Sequence, residues 1–253
     1  MFKLMKYEMR KNILGVVILF SIIMGLECYF IIGAFTNSAM HTVISAIILM
    51  LVTFVAYFCV FIFGITTYSK ELKSKSGYMT FMTPISSFTV IGSKLLVTLL
   101  EGVFFAVLLV GLACADMAIM EAQFPETKIF TDFVDMFVTA MGINAGEVLI
   151  GILGAILELI ITFVAIVSMA YLAITLSSTA FQNKKFKGII STIIFIVIMV
   201  AVSELGDVIL SDVQESNMVD LFVAMIPAFV YYIAVAVISI FASGTLLEKK
   251  VSL

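Results

Sequence analysis

Five carboxylates stand inside long apolar runs of this chain: Glu27, Glu101, Asp116, Glu158 and Glu204. A carboxyl group in such a place can hold a proton, face a water-filled path, or bind a cation. At 1.5 Å rise per residue, Glu27 lies ~21 Å from the start of its apolar run, Glu101 ~17 Å and Glu158 ~15 Å from an end of theirs. A charge at mid-bilayer costs roughly 2.5–3.5 kcal/mol on the insertion scale. Lys94 sits near the start of its run, and no other Lys or Arg stands in those spans to offset it. Glu27, Glu101 and Glu158 are therefore candidate residues of a substrate path. The plainer alternative is protonated glutamates hydrogen-bonded between helices. Asp116 and Glu204 lie near the ends of their runs, where interface solvation accounts for them.

Other chemistries find no support. His41 is the only histidine and falls in a short outer loop, so neither a histidine metal site nor a Ser-His-Asp triad is expected. A phosphate-binding loop needs a glycine ahead of a Gly-Lys pair at fixed spacing, and the chain has no such string. Cys28, Cys59 and Cys114 sit singly in apolar runs and read as buried apolar residues rather than metal ligands. No catalytic residue, metal site or cofactor of its own is expected.

The elements that hold these residues follow from hydropathy. Of 253 residues, 63% are hydrophobic, and mean hydropathy is +1.24. Soluble domains run nearer 45–50% apolar. A span needs about 20 apolar residues. Six runs qualify, at about 13–35, 43–68, 90–119, 148–177, 189–204 and 224–246, the fifth being short. Runs of this length without alternation are helices, since open sheet edges cannot face lipid. The expected fold is an all-α membrane protein of six transmembrane helices forming one domain over 1–253. All of the 14 basic residues except Lys128 fall in 1–12, 69–94, 182–188 and 247–253. By the positive-inside rule these segments, and both termini, are cytoplasmic.

Two connectors break the plain pattern. In MFKLMKYEMRKN, Phe2, Met5 and Met9 share one helical face and Lys3, Lys6 and Arg10 another. This is a short amphipathic helix suited to the membrane surface. In 205–223, short apolar pieces broken by acids, ending near Pro227, are expected either to dip back as re-entrant half-helices between spans five and six or to lie flat on the surface. No Pro- or Gly-rich linker marks a domain boundary.

The longest basic connector, Tyr68–Leu96, carries Lys70, Glu71, Lys73 and Lys75, then Gly77, then Tyr78, Met79, Phe81 and Met82, and then Pro84. Glycine permits a turn and proline stops a helix. A short surface helix over 71–86 results. Its Met and aromatic side chains suit either a partner's groove or the lipid headgroups.

This segment resembles the loop of ABC type-2 transporter permeases in its Glu71, Leu72, Gly77, Tyr78, Pro84, Ile85, Ser86, Ser93 and Lys94. The opening Lys6-Tyr7-Glu8 and closing Leu247-Glu248-Lys249-Lys250 are similar to bacterial members of that family. The motif likeness covers about 40 residues, and the topology the whole chain. The resemblance implies that 71–86 is a coupling helix, with Glu71, Gly77, Tyr78, Met79, Phe81, Met82 and Pro84 engaging a separate cytoplasmic ABC ATPase. It implies that residues 1–12 are the amphipathic connecting helix, and that the protein sits as a dimer, with a second permease copy, in a bacterial plasma membrane. ATP and Mg would be bound by the partner, which fits the absent phosphate loop.

The expected function is the permease subunit of an ATP-driven exporter of an amphipathic substrate, peptide ahead of drugs or lipid-linked compounds. The expected partners are the ATPase, the second permease copy, membrane lipid and that substrate, and no nucleic acid. The 16 Met and 23 Phe suit lipid contact and an adaptable cavity. Two other readings stay open: a proton-coupled secondary transporter using Glu27, Glu101 and Glu158, and a non-transporting immunity or scaffold protein.

Overall fold

The computed structural model describes residues 2–36, 39–73, 86–123, 145–180, 187–210 and 218–251. These residues are almost wholly helical, and no strand occurs among them. The helices are α1 (Phe2–Phe35), α2 (Ala39–Lys73), α3 (Ser87–Gln123), α4 (Ala145–Ala180), α5 (Lys187–Leu210) and α6 (Met218–Val251). Each contains a stretch long and apolar enough to cross a membrane. The chain is thus a multi-pass, all-α membrane protein, as its hydropathy predicts.

Three boundaries differ from the sequence reading. Residues 2–12 are continuous with the first span rather than a separate helix. No proline interrupts 1–14 and no glycine occurs before Gly15, while Lys, Met, Leu and Glu are strong helix formers. The fifth helix runs 24 residues and absorbs Val208, Ile209 and Leu210. Leu221 and Phe222 belong to the start of α6, which carries Pro227 inside it. Among the described residues no separate half-helix lies between α5 and α6. The physical brace is Tyr231, whose hydroxyl donates to the Val202 carbonyl at 2.5 Å. Its ring also packs at Gly206.

The helices distribute over two compact units. Unit 1 comprises Met1–Glu8, Gly64–Leu99 and Ala145–Leu253, and unit 2 comprises Met9–Phe63 and Leu100–Asn144. In unit 1, α4 packs against α5 and α6. Half of the apolar window of α4 is buried, but none of that of α5. Phe88 of α3 packs on Phe241 of α6, ring centroids 5.7 Å apart. Unit 2 has a core of Leu19, Ile23, Ala56, Val60, Phe105 and Leu109.

Ser86 explains one motif position. Its Oγ accepts from the Thr89 amide at 3.4 Å, while its carbonyl accepts from the same amide at 2.9 Å. A serine at this place caps the orphan donors of the helix that follows. Ser86 thereby marks the start of α3.

Cys28 and Cys114 are exposed and Cys59 half-buried, and all three are free thiols. The expectation of burial was too simple. In lipid, an apolar residue needs no protein cover, so the hydropathy that puts a cysteine in a span does not put it in the core.

Candidate functional site

The most ordered polar group lies in unit 1. Lys94 stands on α3 between Val90, Ile91 and Leu95, Val97. Its Nζ lies 2.7 Å from Glu8 Oε1 and also pairs with Glu71 Oε2. All three side chains are buried, none more than 6% exposed. Glu8 Oε2 is buried with no hydrogen-bond partner. Two carboxylates thus share one ammonium in a poorly hydrated place. Breaking such a group costs more than it contributes when intact, because the surviving charge stays buried.

One helical turn from the triad, a hydroxyl and ring network joins α2, α3 and α4. Tyr68 hydrogen-bonds Thr175 at 2.7 Å and stacks on Tyr171 at 4.3 Å between ring centroids. The Tyr171 hydroxyl meets Thr98 Oγ1 at 3.3 Å. Thr175 donates back to the Tyr171 carbonyl at 2.8 Å. Gly64 allows α2 this close to α3, since a Cβ there would overlap the Thr98 side chain. Tyr68 precedes Glu71 by one turn and Thr98 follows Lys94 by one turn, so triad and network form a continuous polar block.

Unit 2 holds the other candidate. Glu27 is buried, and the Asp116 carboxyl has one oxygen, Oδ1, buried without a hydrogen-bond partner. Both line a cavity of about 370 Å³ walled by Ile23, Phe30, Leu49, Met50, Leu109, Met117 and Met120, among others. Thr53 is a further polar group on that wall. The volume falls within the ~300–1,000 Å³ of small-molecule pockets. Glu101, also in unit 2, is buried and accepts from Asn12 Nδ2 at 3.1 and 3.3 Å.

The expected site residues therefore separate. Glu71 belongs to the triad. Gly77, Tyr78, Met79, Phe81, Met82 and Pro84 lie outside the described residues. Glu27 lines a cavity, whereas Glu101 is engaged by an amide and is not among the lining residues. Glu158 is half-buried on α4 and takes no part in the triad. Asp116, read as an interface residue, instead lines the same cavity as Glu27. Asn12, Glu8 and Lys94 were read as flank or motif. A lone lysine inside Val90–Leu99 was the signal that it is buried, because such a charge needs an acid close by.

No protein-family model, curated protein or solved structure matches the chain.

Proposed function

We propose that this chain is the membrane-embedded permease subunit of an ABC type-2 exporter, driven by a separate cytoplasmic ATPase. It would work in a bacterial plasma membrane as a dimer, with both termini cytoplasmic. The substrate would be amphipathic and partly cationic, a peptide ahead of other classes. The observation that carries this reading is the triad. Glu8, Glu71 and Lys94 belong to the three strings that resemble this family, Lys6-Tyr7-Glu8, Glu71-Leu72 and Ser93-Lys94, and they meet at one point. Glu71 stands at the start of 71–86, where the coupling helix is expected, and Lys94 follows its end, so their pairing braces that segment. A segment pushed by a partner can do work only if its ends are held, and a buried ion group with the Tyr68–Thr175 network holds them.

The cavity supports the substrate class. Its apolar wall suits the greasy part of an amphipathic molecule, and Glu27 and Asp116 suit a cationic group.

The test is co-purification followed by transport. An ATPase encoded beside this chain should copurify in nanodiscs, lose contact on Tyr78→Ala with Phe81→Ala, and hydrolyse ATP faster with amphipathic cationic peptides. A chain that transports with no ATPase bound would overturn the reading.

One observation favours a second reading, proton-coupled transport. Glu27 and Asp116 line one apolar cavity with no cationic side chain on its wall, a place that favours a proton on a carboxyl. Under that reading Asp116→Asn abolishes uptake driven by a proton gradient. Under the exporter reading it alters substrate affinity and spares basal ATP turnover.

A further inference from the structure

In the unit 2 cavity, three helices each bring one polar group to an otherwise apolar space. Glu27 comes from α1, Thr53 from α2 and Asp116 from α3. No described residue of the wall is cationic. Glu27 is 4% exposed, and Asp116 Oδ1 is buried and meets no donor. A buried acceptor without a donor is costly. Two carboxyls at one apolar space call for a cation that carries N–H groups.

Size and wall narrow the occupant. The volume, about 370 Å³, is that of about a dozen water molecules. It holds one compact amine or one basic side chain, not a folded peptide. A bare metal ion takes about six oxygen ligands, more than these three side chains offer, and it leaves the apolar wall without a contact. An ammonium on an apolar body uses both parts.

The cavity also has a mouth at membrane depth. Met50, 78% exposed, and Met117, 38% exposed, are among its lining residues. Met50 lies ~16 Å along α2 from Ala39. That is near the middle of a ~30 Å hydrocarbon layer. A ligand dissolved in the bilayer therefore reaches the cavity from the side.

We infer that this cavity is a laterally entered binding site for one small lipophilic ammonium ion, with Asp116 and Glu27 as its counter-ions and Thr53 as a further polar contact. The inference rests on the cavity named in the proposed function and deepens its substrate class. It needs neither an ATPase nor transport.

The experiment is isothermal titration of the full chain in phosphatidylcholine nanodiscs with no ATPase present. It can fail while copurification of an ATPase succeeds, and the reverse. The probe is 4-phenylbutylamine, and empty discs correct for its partition into lipid. 4-Phenylbutanol, the same body without the charge, should bind about 10–100-fold more weakly, the typical contribution of a hydrogen bond to a charged group. Acidification should weaken the amine and not the alcohol, because protons compete with the ammonium for the Glu27 and Asp116 oxygens. These two are the titratable residues of the described wall.

Asp116→Asn should weaken the amine at least about tenfold and leave the alcohol unchanged. Ala46→Leu with Ala113→Leu, which fills the cavity without altering its charge, should abolish binding of both. A lysine-bearing amphipathic peptide that displaces the amine assigns the site to a peptide side chain, and one that does not assigns it to free amines. Amine uptake no greater than in empty discs, equal affinity for amine and alcohol, or undiminished amine binding in both variants would each overturn the inference. Should a variant fail to fold, the ratio of amine to alcohol affinity in the natural chain decides.

Discussion

Lys94 governs the residue scale. It neutralises part of the charge of two buried carboxylates, so its loss leaves both without their shared cation. Lys94→Gln should lower stability by roughly 3–5 kcal/mol. Glu8→Gln should cost less, because it leaves Lys94 and Glu71 as a one-to-one pair. Unfolding in mixed micelles checks the order, and equal losses would show that Lys94 is not the shared cation on which both carboxylates depend. Tyr68→Phe isolates a smaller effect. It removes the hydroxyl that meets Thr175 at 2.7 Å and keeps the stack on Tyr171. A loss of about 0.5–1.5 kcal/mol is expected. Tyr171→Ala, which removes a buried ring, should cost about 3–5 kcal/mol. The triad was only partly legible in sequence. Lys94 and Glu71 are 23 residues apart and Glu8 is 86 residues from Lys94, and nothing in local pattern links them.

At the element scale, close approach of α2 and α3 depends on Gly64. A methyl group there meets the Thr98 side chain, so Gly64→Ala should destabilise by about 1–3 kcal/mol. Thr98→Ala removes the two nearest atoms and should recover part of that loss in the double variant, though its Cβ stays 3.1 Å from the added group. If the two substitutions add without recovery, α2 and α3 do not touch at this point in the bilayer. Element boundaries were less legible than element number. The short fifth span and the broken pieces after it were read from the short apolar stretches of 205–223 that acids interrupt. Tyr231 overrides that local signal by holding the last turns of α5. Likewise the polar face of 2–12 suggested a separate helix, but no residue there breaks the backbone.

For the whole molecule, six crossings place both termini on one side. Reporter fusions at residues 3 and 250 should both read cytoplasmic, and a thiol-specific tag near Lys128 should react only from outside. Termini outside would reverse the orientation drawn from the basic residues and remove the setting for an ATPase at 71–86. The number of spans, their helical state and the charge bias of their connectors came from sequence alone. The physical reason is that lipid filters each stretch of about 20 residues on its own composition, so a local property suffices. Which acids are engaged, and by what, was decided only by tertiary structure. Glu27 shares a cavity with Asp116 across 89 positions, Glu101 meets Asn12 across 89, and Lys94 gathers Glu8 and Glu71. A buried charge must be matched by whatever packing brings within hydrogen-bond reach, and in a helical membrane protein that partner comes from another helix, far along the chain.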